Sequence, residues 1–136
     1  MDLDEARAVV AEQHHAVLTT LRRDGTPQMS PVAATVDAAG RVVVSTRKTA
    51  FKVRNLRRDP RAWLCVLPDG FYGHWIQVGG SVRIVELPEA MEGLVDYYRR
   101  VSGEHPDWDD YRTAMEHDQR VLLQVELTSA GPDREG

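Results

Sequence analysis

Paired glycines, Gly79 and Gly80, interrupt the longest strand-like stretch of the chain, residues 74–86. Glycine inside a strand weakens it and marks a bulge, a bend or a close backbone approach. A long strand bent at its middle suits a sheet that curls into a small barrel. The flanking segments agree. Residues 16–21 read as a first strand, and the Asp24-Gly25 turn leads to a second over 28–36, with Pro31 marking an edge or irregular position. The turn at 37–40 leads to a third strand over 41–46, so three consecutive strands form an antiparallel meander. Residues 62–67 and the alternating 120–128 complete a six-stranded, mainly β domain with flanking helices, an α+β barrel filled by its own side chains.

Helical patterns lie at 4–13, 50–58, 88–101 and 107–117, the second stopped by Asp59-Pro60, the third opened by proline and the fourth capped by Asp107. At 136 residues the chain makes one domain, 1–128, with a polar, frayed tail at 129–136. No apolar run approaches the ~20 residues that span a bilayer, and the N-terminus lacks a signal-peptide pattern, so a cytoplasmic location is expected. The single cysteine, Cys65, reads as a small core residue.

Charge singles out one segment. The chain carries a formal charge of −4, yet both of its lysines, Lys48 and Lys52, fall in 45–61 beside Arg47, Arg54, Arg57, Arg58 and Arg61. A cationic knot on an acidic protein suits one particular anion more than polyanions at large, which makes direct nucleic-acid binding an unfavoured reading. Here a β-branched run ends in Ser45 and Thr46, then cations, then a helix opening at Thr49. Hydroxyls, lysines and free helix N–H groups at a strand-to-helix turn make a phosphate cradle. A solvated helix face is the alternative for Lys52, and surface solvation or dimer contacts account for Arg57, Arg58 and Arg61. Asn55 reads as a ligand contact or a structural hydrogen bond. His14, His15, His74, His105 and His117 lack ligand spacing, so no metal site is expected. There is neither a nucleophile elbow nor a dinucleotide fingerprint.

Several segments together resemble the flavin/deazaflavin split-barrel superfamily, the group containing pyridoxamine 5′-phosphate oxidase, and within it the small actinobacterial F420-dependent branch. They are Asp24-Gly25-Thr26-Pro27-Gln28, Ser45-Thr46, Lys52-Val53-Arg54-Asn55-Leu56-Arg57-Arg58-Asp59-Pro60, Val78-Gly79-Gly80-Ser81-Val82 and residues 120–125. The resemblance implies a homodimeric six-stranded split barrel with cofactor sites across the interface. Ser45, Thr46, Arg47, Lys48 and Lys52 would hold the cofactor phosphate. Gln28, Met29, Ser30, Pro31 and Val32 would lie against the ring system, and the partner subunit would add Trp75 and Gln77.

His74 is the candidate proton donor. Trp75, Ile76 and Val78 read as an exposed strand face that favours dimerisation. The expected activity is hydride transfer from reduced F420 to an electron-poor small molecule. FMN is the alternative cofactor, and a cofactor- or haem-binding module without turnover is a third reading. No counterpart of the oxidase's C-terminal substrate-binding segment is evident, so vitamin B6 oxidation is not expected.

Overall fold

The computed structural model describes residues 1–132. Its sheet runs β2 (Pro27–Ala33), β1 (His15–Leu21), β5 (Arg61–Leu67), β6 (Ile76–Val85), β7 (Arg120–Gly131), β4 (Val42–Arg47) and β3 (Thr35–Val36). Every neighbouring pair is antiparallel. The two edge strands of this order, β2 and β3, are consecutive in the chain and separated only by Ala34. One stretch of backbone thus serves both edges and curls the sheet into a split barrel.

The expected second strand, 28–36, is therefore two strands, which raises the count among the described residues from six to seven. Ala34 pays no penalty for leaving the ladder. Its N–H donates to the His14 carbonyl at 2.8 Å, and the His14 ring Nδ1 lies 2.8 Å from the Ala34 carbonyl. The expected meander is present only in part, since of the expected second strand just residues 35–36 pair with β4. β4 does not pair with β2; its ladder partners are β3 and β7, and the latter fills the remaining gap to β6.

Gly79 and Gly80 sit where the β6–β7 register shifts. A Cβ on Gly79 would come within 2.8 Å of Trp63 Cδ1, and one on Gly80 would overlap the Glu126 backbone carbonyl. The close approach of the β7 backbone explains Gly80, and the Trp63 and Ser129 side chains packed over the strand explain Gly79. The inward side chains of this curled sheet, among them Leu18, Leu64, Ile76, Val78, Val42, Val44 and Leu123, form the main core with Val53 and Leu56 of α2 (Phe51–Arg58) and with Ala6 and Val10 of α1 (Leu3–Glu12). Val43 and Leu122 point the other way, into a second core under α3 (Met91–Ser102) and α4 (Trp108–His117). The valine run at 42–44 is buried on both faces for this reason.

Five local expectations change. Ile76 and Val78 are fully buried, because alternation turns them inward and Trp75 precedes the strand, so they form no exposed face. Cys65 is half-buried on the outer side of β5, between the inward Leu64 and Val66. α2 is capped by Ala50 without a side-chain bond, since Thr49 lies in a turn closed by Ala50 N–H to the Arg47 carbonyl at 3.1 Å. α3 starts at Met91, after a turn that contains Pro88. β7 continues through Gly131, past the expected stop at Thr128, and the tail from 133 lies outside the described residues. No helix among the described residues is long and apolar enough to cross a membrane.

Gly80→Ala should lower unfolding stability by about 3 kcal/mol, because a backbone atom obstructs the new methyl. Gly70→Ala, with nothing within 4 Å of its added Cβ, should change little. Urea denaturation of both variants checks this.

Candidate functional site

The basic segment becomes the last residues of β4, a short turn and α2. Spacing of i, i+3, i+4 and i+7 brings Phe51, Arg54, Asn55 and Arg58 to one flank of α2, facing the β1–β2 hairpin. Val53 and Leu56 anchor the helix in the barrel core. Asn55 is buried, and its amide donates to the Thr20 hydroxyl at 3.1 Å. That hydroxyl lies 3.4 Å from Gln28 Oε1. The Arg58 guanidinium donates to the Leu21 carbonyl and to Asn55 Oδ1. Asn55 and Arg58 therefore clamp α2 to the hairpin. Arg58 lies exposed at the surface, as expected, but its bonds also give it a structural role, while Arg57 and Arg61 form ion pairs with Glu86 and Asp59.

Lys52 lies in the first turn of α2 and is half-buried. Burial, with a smaller push from the Arg120 guanidinium, lowers its pKa below the usual lysine value of 10.5. No carboxylate among the described residues lies within ion-pair distance of it. Arg120 at the start of β7 is opposite Arg47 in the ladder. Its Nε is buried with no hydrogen-bond partner and has only a loose 3.8 Å approach to Asp118. Nearby, the Tyr97 hydroxyl donates to the Ala33 carbonyl at 2.8 Å. Burial raises the Tyr97 pKa, partly offset by the Ser45 N–H and Arg120. A second buried polar atom without a partner is Ser30 Oγ. Lys52, Arg120, Ser45 and the first turn of α2 are thus rich in donors and short of an acceptor. This donor set fits a phosphate-bearing cofactor.

The other sequence-derived site residues are distributed unevenly. Lys48 is exposed and pairs with Glu86 at 3.4 Å. That contact, more than the Arg57 bond, holds the Glu86 carboxyl below its usual range. Thr46 is buried, while Arg47 is exposed. Alternation divides β2, with Gln28, Ser30 and Val32 on the more buried side and Met29 and Pro31 exposed. Trp75 and Gln77 lie by the start of β6, together with the end of β7 at Ser129–Gly131. The ladders put that region at the opposite end of the barrel wall from α2: His15 and Leu67 border it, whereas Thr19 and Trp63 run toward Arg61. His74 is at the same far end, where its carbonyl accepts from the Gln13 amide. One chain does not bring Trp75, Gln77 or His74 to Lys52.

Sequence reasoning missed Arg120 and Tyr97. Both reach the site through tertiary structure, Arg120 by pairing with Arg47 and Tyr97 from α3. The only local signal was the position of Arg120 at the start of an alternating strand.

A closing antiparallel sheet, a glycine-bent β6 and a donor-rich strand-to-helix turn on the barrel wall define a split-barrel protein of the flavin/deazaflavin superfamily. The family model for pyridoxamine 5′-phosphate oxidase matches residues 3–131, and the chain belongs to that family. The F420H2-dependent biliverdin reductase of Mycobacterium tuberculosis is 27% identical over 126 residues, covering 91% of this chain and 82% of that protein. A conserved hypothetical protein of known structure from the same organism superposes with a TM-score of 0.76 at 25% identity, over 96% of this chain and 82% of its own. An F420 reductase structure shares the fold, with a TM-score of 0.72 at 21% identity over 92% and 94% of the two chains.

Asn55→Ala should cost about 2 kcal/mol of stability, because it removes the donor to the buried Thr20 hydroxyl and the acceptor for Arg58. Arg54→Ala on the exposed part of the same flank should cost little. Thermal or urea unfolding distinguishes the two.

Proposed function

We propose that this protein is an F420H2-dependent reductase of a small electron-poor substrate and works as a homodimer. The observation that carries the reading is Lys52, a half-buried cation without a carboxylate partner among the described residues, beside an Arg120 Nε that also lacks a hydrogen bond. An acidic chain that leaves two such cations together has a place for an anionic group. The relatedness to an F420H2-dependent reductase supports F420 as the molecule that brings it.

In this reading Lys52, with Ser45, Thr46, Arg47 and Lys48 around the turn, holds the cofactor phosphate. Gln28, Ser30 and Val32, with Met29 and Pro31 on the opposite face of β2, border the ring system. Trp75 and Gln77 reach the site from the second subunit, since their own α2 is at the other end of the barrel. His74, their neighbour, has the same route to a role as proton donor. Reduced F420 supplies a hydride when bound. The chain supplies position, charge and a partly desolvated wall. Glu86 keeps Lys48 and Arg57 oriented until an anion competes for them.

Titration of the purified protein with F420 and, separately, with FMN should show fluorescence quenching that saturates with F420. Saturation by FMN alone would move the assignment to a flavin enzyme. Sedimentation at micromolar concentration should give a dimer, and a monomer would remove the two-subunit site.

Lys52→Ala should weaken F420 binding by about 1.5–3 kcal/mol, the range for a hydrogen bond to a charged group. Stability of the unliganded protein should hold or rise, because a desolvated cation near Arg120 is removed. The lowered pKa also gives a pH signature. Rising pH strips the Lys52 proton before 10.5, so F420 affinity should begin to fall below that pH. Over the same window the unfolded chain binds more protons, so the unliganded fold gains stability as pH rises. A Lys52→Ala variant lacks both trends.

A further inference from the structure

A cleft of about 940 Å³ lies between α2 and the β1–β2 hairpin; none of the phosphate donors above lines it, although Gln28 of the ring-bordering strand does. Arg22 and Arg23 line it from the hairpin, and Arg54, Arg57 and Arg58 from the helix. No carboxylate lines it. Arg57 alone among the five is ion-paired, to Glu86 at 2.9 Å. The acids nearest in sequence bond elsewhere, Asp24 to Thr26 and Asp59 to Arg61, and act on Arg22 and Arg58 only from beyond ion-pair distance. Four arginines without an ion-pair partner among the described residues therefore share one concavity on a chain of net charge −4. Phe51 gives the same cleft an apolar plane. It is 71% exposed, and the Arg54 guanidinium lies 5.8 Å from its ring centre.

We propose that this cleft is a second anion site, which takes the carboxylates of a planar organic polycarboxylate, and that this ligand is the reductase's substrate. The guanidinium fork matches a planar carboxylate through paired hydrogen bonds and also stacks on flat rings, so Arg23, Arg54 and Phe51 recognise both halves of such a molecule, while Arg22, Arg57 and Arg58, held by bonds to the protein, add positive charge around it. Lys52 and Arg54 serve different neighbours: Lys52 lies beside Arg120 of β7, and Arg54 faces the hairpin. A phosphate held at Lys52 leaves the cleft free for a second anion. Only the word substrate rests on the function proposed above; the anion site rests on the cleft.

The Arg23 and Arg54 side chains make no hydrogen bond or ion pair among the described residues, so the double variant Arg23→Gln/Arg54→Gln should fold normally. The probe is benzene-1,3,5-tricarboxylate, with the uncharged tricarboxamide as control, measured by calorimetry at low salt. The tricarboxylate should bind at least tenfold more tightly than the tricarboxamide. The double variant should weaken it at least tenfold, and Lys52→Ala less than twofold. F420 affinity should change less than twofold in the double variant. Equal tricarboxylate binding by parent and double variant overturns the site. A tenfold loss of F420 affinity in the double variant overturns the substrate assignment, because the cleft then serves the cofactor. Failure of F420 to bind the parent protein defeats the reductase reading and leaves the tricarboxylate result to decide the anion site.

Discussion

Two hydrogen bonds between His14 and Ala34 hold the architecture together. A sheet of limited width curls only if some strand can serve both edges, and such a strand must leave one ladder before it enters the other. The residue at the crossing has a backbone N–H and carbonyl with no ladder partner, which is costly in a buried position. Ala34 is fully buried, and His14 meets both groups, with its own carbonyl and its ring nitrogen. Tyr97 reinforces the crossing from outside by donating to the adjacent Ala33 carbonyl. The position of β2 beside β1, and of β4 on the opposite side of the sheet, follows from that crossing.

Helix α2 converts this frame into chemistry. Its apolar residues Val53 and Leu56 are fixed in the core, so its two polar flanks cannot rotate away. One carries Lys52 toward β7, and the other carries Arg54, Asn55 and Arg58 toward the hairpin. Asn55 and Arg58 are spent on attachment, which makes the flank rigid, and the remaining cations stay available for ligands. Rigid placement of charge beside a low-dielectric wall is what lets a few cations bind an anion selectively in an otherwise acidic molecule.

Much of this was legible in the sequence because it rests on local signals. The Asp-Gly turn, the glycine pair, the Asp59-Pro60 stop and the Asp107 cap each act within a few residues, and each element they bound is present. The family resemblance was legible for the same reason, since its motifs are turns and a helix. Long-range events left no such mark. Nothing in residues 28–36 announces a break at Ala34, because the break is satisfied by a histidine from another strand's approach. Ile76 and Val78 read as exposed because one apolar residue before a strand, Trp75, shifted the apparent register of the face. Arg120 looked like an ordinary strand terminus until ladder pairing placed it against Arg47.

The position of β7 in the chain has a consequence for how the molecule assembles. Among the described residues β7 is the last strand in sequence order, and it bridges β6 to β4. Before its residues are available, the sheet consists of one piece, β2-β1-β5-β6, and a separate short hairpin, β4-β3. Two long edges then stand open, with unpaired backbone groups that invite pairing with other chains. During synthesis from the N-terminus the barrel cannot close until these residues leave the ribosome. The distance in sequence between β4 and β7 makes that closure an entropically slow, non-local event. The twelve residues of β7 thus act as the keystone of folding, the step at which an aggregation-prone half-sheet becomes a closed one.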